Sequence, residues 1–211
     1  MNPKKQTYKN LADSVIEKFH ERGIDGCYCD SKEEALEIIK SSLPPKCSIS
    51  WGGSETLKEI GLFEIIGNPE YTLYDRKTAE TKEEEKELYR NIATCDYYFM
   101  SSNAITLDGE LVNIDGNGNR VACLIYGPEH VVIVAGMNKI VPDVETAVKR
   151  IQNTAAPING VRLNTKTPCA STGHCHNCLS SGCMCCELVV TRKSRTPNRI
   201  KVILVGEELG Y

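Results

Sequence analysis

The stretch "CASTGHCHNCLSSGCMCC", Cys169 to Cys186, holds six of the eleven cysteines of the 211-residue chain. His174 and His176 sit among them. Thiolates are the ligands of soft and borderline metals, and a tetrahedral site takes four of them, or fewer with histidine. Cys175-x2-Cys178 has the spacing of a metal-binding knuckle, and Thr172-Gly173 and Ser181-Gly182 supply turn residues around it. Zinc and an iron–sulfur cluster both accept four thiolates, so the spacing leaves that choice open. A redox dithiol is a further alternative, since Cys185-Cys186 and Cys175/Cys178 are close in sequence.

Two other stretches could bind small molecules. "SISWGGSETLKEIGL" places Gly52-Gly53 between a strand pattern and a helix that Ser54 can cap. Paired glycines allow a tight turn and close approach of a ligand. The amides of Ser54, Glu55 and Thr56 would then face an anion such as a carboxylate or phosphate. "NIDGNGNRVA" gathers Asn113, Asp115, Gly118, Asn119 and Arg120. An arginine at the entry to an apolar run can clamp a carboxylate or phosphate in a bidentate manner. A plain polar turn would use the same residues.

The patterns around these stretches are those of an α/β protein. Leu11, Val15, Ile16 and Phe19 have helical spacing, and Gly23 reads as the C-terminal stop. Strand patterns at "GCYC", "CSISW", "YTLYD" and "CDYYFMSS" alternate with helical ones. Ser31 with Glu34, and Thr81 with Glu84, open two of those helices as capping boxes. The alternation predicts βαβ units around a parallel sheet. Asp108-Gly109 in "AITLDGELVNID" then predicts a hairpin. "RVACLIYGPEHVVIVAG" reads as two strand runs around Gly127-Pro128. "VPDVETAVKRIQN" reads as a helix with Pro142 in its first turn, and "RIKVILVG" as a closing buried strand. Residues 1–160 are expected to form the α/β domain, 161–198 a cysteine-rich loop, and 199–211 the closing strand and tail of the same domain.

The net charge of −3 offers no basic field for nucleic acid. No apolar run approaches the ~20 residues of a membrane span. A cytoplasmic location is expected, where thiols stay reduced and clustered cysteines more often serve metals or redox chemistry. Cys27, Cys29, Cys47, Cys95 and Cys123 fall in apolar runs and read as small buried hydrophobes.

The blocks "SWGGSETLKEIGL", "SSNAITLDGELVNIDGNGNRVACLIYGP" and "VVIVAGMNKIV" resemble, in order and spacing, the LUD-domain (lactate-utilisation) family. "TPCASTGHCHNC" and "RIKVILVGEELGY" resemble its small stand-alone members with a cysteine-bearing tail. The resemblance implies a three-layer α/β fold with a mostly parallel sheet. That fold is similar to the superfamily of sugar-phosphate isomerases, CoA transferases and formyltetrahydrofolate cyclo-ligases. It implies positions rather than catalytic roles: Gly52, Gly53 and Ser54, then Asn103, Asp115, Gly118, Asn119, Arg120, Asn138 and Lys139. It also implies Cys169, Cys175, Cys178 and Cys185 as the ligand set. Some family members belong to bacterial systems that oxidise lactate beside iron–sulfur subunits, which favours an iron–sulfur cluster, whereas His174 or His176 in place of a cysteine would favour zinc. The choice between them stays open, and an iron–sulfur redox partner joins the expectations.

Three functions follow. One is a protein that binds a small carboxylate- or phosphate-bearing molecule in organic-acid oxidation, with Arg120 and Lys139 as counter-charges and a cysteine-ligated site beside them. Another is a transferase- or isomerase-type enzyme with a structural zinc, in which a carboxylate such as Asp115 is the general base. The third is a non-catalytic module whose cysteine loop docks a redox partner.

Overall fold

The computed structural model describes residues 2–211. Helix α1 (Pro3–Glu21) starts where the Asn2 side chain accepts the Lys4 amide, and it buries Ala12, Val15 and Phe19. Gly23, at φ 66°, turns the chain out of it. Strand β1 (Asp25–Cys29), helix α2 (Lys32–Ser42) and strand β2 (Ser48–Trp51) follow. Ser31 caps α2, but the Glu34 carboxylate accepts from the Asp30 amide instead of closing the box. Short helices α3 (Glu55–Glu59) and α4 (Leu62–Ile66) lead to β3 (Thr72–Tyr74). Helix α5 (Lys82–Ala93) begins with the full Thr81–Glu84 capping box, and β4 (Tyr97–Met100) comes next.

The hairpin forms as expected, from β5 (Ala104–Thr106) and β6 (Leu111–Asp115). Gly109 closes it at φ 80°. The run after it is a helix, α6 (Asn119–Ile125), where the sequence suggested a strand. A short apolar run cannot by itself separate the two. The decision is local: Gly118 takes φ 72°, and the Asp115 carboxylate accepts the amides of Asn117, Gly118 and Val121. The first turn is thus capped from upstream. Arg120 therefore stands in the first turn of a helix and not at a strand entry.

Strands β7 (His130–Gly136) and β8 (Ile140–Val141) follow. Helix α7 (Val144–Arg150) is capped by Asp143, so Pro142 lies before the cap and not in the first turn. It continues through a π turn, Ile151–Ala155, into α8 (Ala156–Arg162), well past its expected end. Pro157 has no N–H to give the carbonyl of Asn153, and the wider turn sits where that bond is missing. The cysteine-rich segment includes helix α9 (Pro168–Thr172) and strand β9 (Glu187–Thr191). Strand β10 (Ile200–Val205) ends the series.

Six strands form one sheet in the order β1-β10-β7-β4-β2-β3, every neighbouring pair parallel. Alternate residues of β4, β7 and β10 feed opposite faces. Tyr98, Met100, Ile133, Val202 and Leu204 pack with α1, α5 and α6. Phe99, Val132, Val134, Ile203 and Val205 pack with α2, α3 and α4. The result is a three-layer α/β fold. A second sheet, β8-β5-β6-β9, lies beside it, with β9 antiparallel to β6. The pairing attaches the cysteine segment to the hairpin. Ala104, Val112, Val141 and Ala147 bury this sheet against α7.

Ile133 lies in β7, wholly buried near the centre of the large sheet. Ile133→Ala is expected to cost about 2–5 kcal/mol in chemical denaturation. A loss under about 1 kcal/mol would mean that the site collapses around the missing atoms.

Candidate functional site

In a parallel sheet, loops at the carboxyl ends of the strands meet along one edge, and ligands bind there. Here that edge encloses a cavity of about 310 Å³. Strand β2 delivers Gly53 to Thr56, and β3 delivers Arg76. Strand β4 delivers Ser101 to Asn103, and β7 is followed by Lys139. The hairpin end brings Asp115, the C-terminus brings Gly210 and Tyr211, and Asn159 and Arg162 of α8 lie across the top. Cys183, Met184 and Cys185 form part of the wall, so the cysteine segment and the cavity share a boundary.

Arg120 is the hub of this edge. One terminal nitrogen donates to the Asn113 side chain (2.5 Å) and the Ser101 carbonyl (3.3 Å). The other donates to the Asn103 side chain (3.0 Å) and the Ile114 carbonyl (2.8 Å). Its Nε lies 3.5 Å from the Asp115 carboxylate. Both terminal nitrogens thus spend their donors on the protein. Burial pushes its pKa down, and the Asp115 carboxylate opposes that shift. Arg120 therefore positions the cavity wall, and Asp115, bonded through both oxygens, holds the arginine and caps α6. The Asn103 side chain also accepts the Ile114 amide. Gly52 makes room for this arrangement, because a Cβ there would stand 3.0 Å from the Arg120 side chain. At Gly53 the space is open, with the Arg76 guanidinium 3.9 Å from such a Cβ.

Two basic groups remain open to the cavity. Lys139 is 3% exposed, and its Nζ donates to the hydroxyls of Thr56 (2.8 Å) and Ser101 (2.9 Å). Both partners are neutral. Burial lowers its pKa from 10.5 to about 7, helped by the nearby positive charge of Arg150, while Glu59 opposes the shift. Arg76 was not singled out from the sequence. Among the described residues its guanidinium makes no hydrogen bond and no ion pair, and it lines the cavity beside Gly53. A basic residue just past a parallel strand, in "LYDRK", was the available signal.

The other expected residues have structural partners. The Ser54 hydroxyl accepts the Leu57 amide at the start of α3. Glu55 pairs with Lys58 (2.7 Å) and with Arg162 (3.1 Å). Asn138 binds the backbone of Leu209 and Gly210, fixing the C-terminal tail. Asn119 lines the cavity and donates to the Tyr89 hydroxyl, whereas Gly118 serves the turn.

The cysteines of the tail are neighbours. The Cys185 thiol is pushed up to about 12, first by burial and then by the charges of Cys183, Cys175 and Cys169. Cys178 is shifted the other way by hydrogen bonds from Ser180 and Cys183. Cys183 thus belongs to the neighbourhood together with Cys169, Cys175, Cys178 and Cys185. The donor type fits a thiophilic ion or cluster. Among the described residues, however, no three His, Cys, Asp or Glu side chains converge as an ion cage. The His174 and His176 rings lie 4.4 Å apart, tilted by 34°, and His176 Nε2 lies 2.8 Å from the Thr172 hydroxyl. Cys29, Cys47, Cys95 and Cys123 are buried in the core.

Comparison with known proteins agrees with this architecture. The family description "LUD domain" matches residues 12–205. The chain therefore belongs to the LUD domain family. A crystal structure of a DUF162 family protein from Deinococcus radiodurans superposes with a TM-score of 0.55 at 11% identity, covering 94% of this chain and 98% of that one. That likeness concerns the fold alone. The structure of eIF2B delta from Chaetomium thermophilum reaches a TM-score of 0.37 at 15% identity, covering 66% of this chain and 54% of that one. No curated protein matches the chain. Among the described residues no helix is long and apolar enough to cross a membrane.

Lys139 ties stability to pH. Its folded pKa lies below its unfolded one, so between about 7 and 10.5 the unfolded chain binds the extra proton. Stability from this group rises with pH through that window, and the cost of the buried charge is full below it. Lys139→Met is expected to be more stable than the wild type at pH 6, with the difference shrinking toward pH 10.5. Thermal melts across that range measure it. A pH-independent difference would show that Lys139 is not buried as a costly cation.

Proposed function

We propose that the cavity binds a small molecule bearing a carboxylate or phosphate, and that the tail cysteines hold a metal or iron–sulfur cluster beside it. The observation that carries the first part is a pair of basic groups, Arg76 and Lys139, facing one cavity with no carboxylate paired to either. An unpaired cation as buried as Lys139 is costly, and clefts that keep such groups are candidates for ligand sites. The Arg76 guanidinium would take the anion in a fork of two hydrogen bonds. The backbone around Gly53 is open to close approach. Lys139 would meet the deeper end of the ligand, with Thr56 and Ser101 orienting it.

The second part draws on the grouping of Cys169, Cys175, Cys183 and Cys185, with Cys178 next to Cys183. Such thiols would hold zinc or an iron–sulfur cluster, and a cluster supplies one-electron transfer when bound. Cys183 and Cys185 would bring that group to the cavity wall. We further propose that the setting is the oxidation of lactate or a related organic acid, in the cytoplasm and with an iron–sulfur protein as redox partner, a reading that membership of the LUD domain family supports. The engagement of both Asp115 oxygens speaks against a general base at that position.

Calorimetric titration with inorganic phosphate and with lactate tests the anion site. Arg76→Ala is expected to weaken the better of the two by about 1–3 kcal/mol, in line with loss of a charge-assisted pair. An unchanged affinity would contradict the assignment. Metal content after anaerobic purification tests the tail. Cys185→Ser is expected to lose the bound metal, whereas Cys186→Ser and the core variant Cys123→Ser keep it. Equal loss from all three would refute the assignment. So would a wild type that takes up neither zinc nor iron with sulfide.

A further inference from the structure

Lys139 offers a reactive nitrogen as well as a charge. Its Nζ is enclosed at the end of the cavity, bonded only to two hydroxyls. The Arg150 guanidinium, held by the carbonyls of Asn138 (3.1 Å) and Asn103 (2.8 Å), lies on one side of it. Arg120 adds positive charge from another. Glu59 is the acidic group whose field reaches it, and a Glu59 oxygen already accepts the Gly210 amide at 2.7 Å. A lysine removed from water beside other cations gives up its proton readily, and the free amine is a nucleophile. An anion-binding role alone would favour an arginine or a solvated ammonium.

We propose that Lys139 forms an imine with the carbonyl carbon of a small oxo compound whose anionic group is held at Arg76. The proposal rests on the anion-site reading and adds a substrate class, an oxo acid or a sugar phosphate with a free carbonyl. The neutral amine adds its lone pair to the carbonyl carbon, forming a C–N bond. The carbonyl π electrons move to oxygen, which takes up a proton. That proton comes from the nitrogen. The nitrogen lone pair then forms the second C–N bond as the C–O bond breaks, and the remaining nitrogen proton goes to the departing hydroxyl, so that water leaves and C=N remains. No oxidant or reductant is consumed. The Thr56 and Ser101 hydroxyls, both within hydrogen-bond distance of Nζ, can pass these protons between nitrogen and oxygen. Thr56 can in turn donate to the Leu209 carbonyl at 3.3 Å, and Ser101 to that of Ser102 at 3.4 Å, so both keep a partner as the amine changes state. A cavity of about 310 Å³ suits a compound of a few carbons.

Reductive trapping of the full-length protein tests this. Wild type is incubated with pyruvate or with glycolaldehyde phosphate in the presence of cyanoborohydride, and the adduct is located by peptide mass mapping. The expected result is a stable adduct on Lys139, favoured about tenfold over the exposed Lys58, and suppressed by excess lactate or inorganic phosphate. Lys139→Arg should abolish the labelling at that position and leave the background labelling of the exposed Lys58 unchanged. Labelling by pyruvate alone would assign an oxo acid, and labelling by the phosphate compound alone a sugar phosphate. Binding of lactate or phosphate without preferential labelling by either probe would overturn the imine and leave the anion site standing. Neither binding nor labelling would overturn both. The mapping on wild-type protein decides even if the variant fails to fold.

Discussion

The functional edge of this protein depends on the Arg120 guanidinium. Its four hydrogen bonds and its ion pair join the end of β4, through Ser101 and Asn103, to the end of β6, through Asn113, Ile114 and Asp115. Those strands belong to different sheets. Direct bonds between the two segments reinforce the joint: the Asn103 amide donates to the Asn113 side chain, the Asn113 side chain to the Ser102 hydroxyl, and the Ile114 amide to the Asn103 side chain. Arg120 itself sits in the first turn of α6, which exists because Asp115 caps it. One carboxylate thus starts the helix and pairs with the arginine that the helix presents. A fork of planar donors can serve several acceptors at once, a task a lysine ammonium would do less well.

With Arg120 and Arg150 both bonded to the protein, the positive charge left for a ligand comes from Arg76 and Lys139. The two differ in kind. A guanidinium is a permanent charge. Lys139, with a pKa near 7, changes state within that range. The permanent charge lies beside the open Gly53 turn and the variable one at the buried end, an order that suits a ligand anchored by its anion and reacting at its other end. Strand β9 pairs with β6 and so carries Cys183 and Cys185 to the same cavity. The position of the sulfur follows from sheet pairing, whatever the cysteines bind.

Much of the fold could be read from the chain because local signals and packing agree. Thr81 with Glu84, Asp108-Gly109 and the β-branched run of β10 each have one reasonable structure. The sequence failed where a distant group decides. Val121 to Ile125 look like a strand, and become a helix because Asp115 caps them. Pro142 looks like a first-turn residue, but Asp143 is the better cap. The cavity was partly legible: Lys139 and the glycine loop were expected, but the isolation of Lys139 from any carboxylate depends on its surroundings. Arg120 was expected to meet a ligand, and its spacing gives no hint that Asn103, Asn113 and the backbone absorb its donors. Arg76 follows a short strand near the sheet edge with no motif around it.

The central claim is that burial lowers the pKa of Lys139 at the inner end of an anion-binding cavity, and its own titration is the most direct test. The side-chain signal of Lys139, followed by NMR as a function of pH, should show a midpoint near 7 in the free protein. Saturating inorganic phosphate, which has no carbonyl, should move that midpoint upward, because a neighbouring negative charge favours the protonated amine. A midpoint near 10.5 in the free protein, or one that phosphate leaves unchanged, would contradict the account.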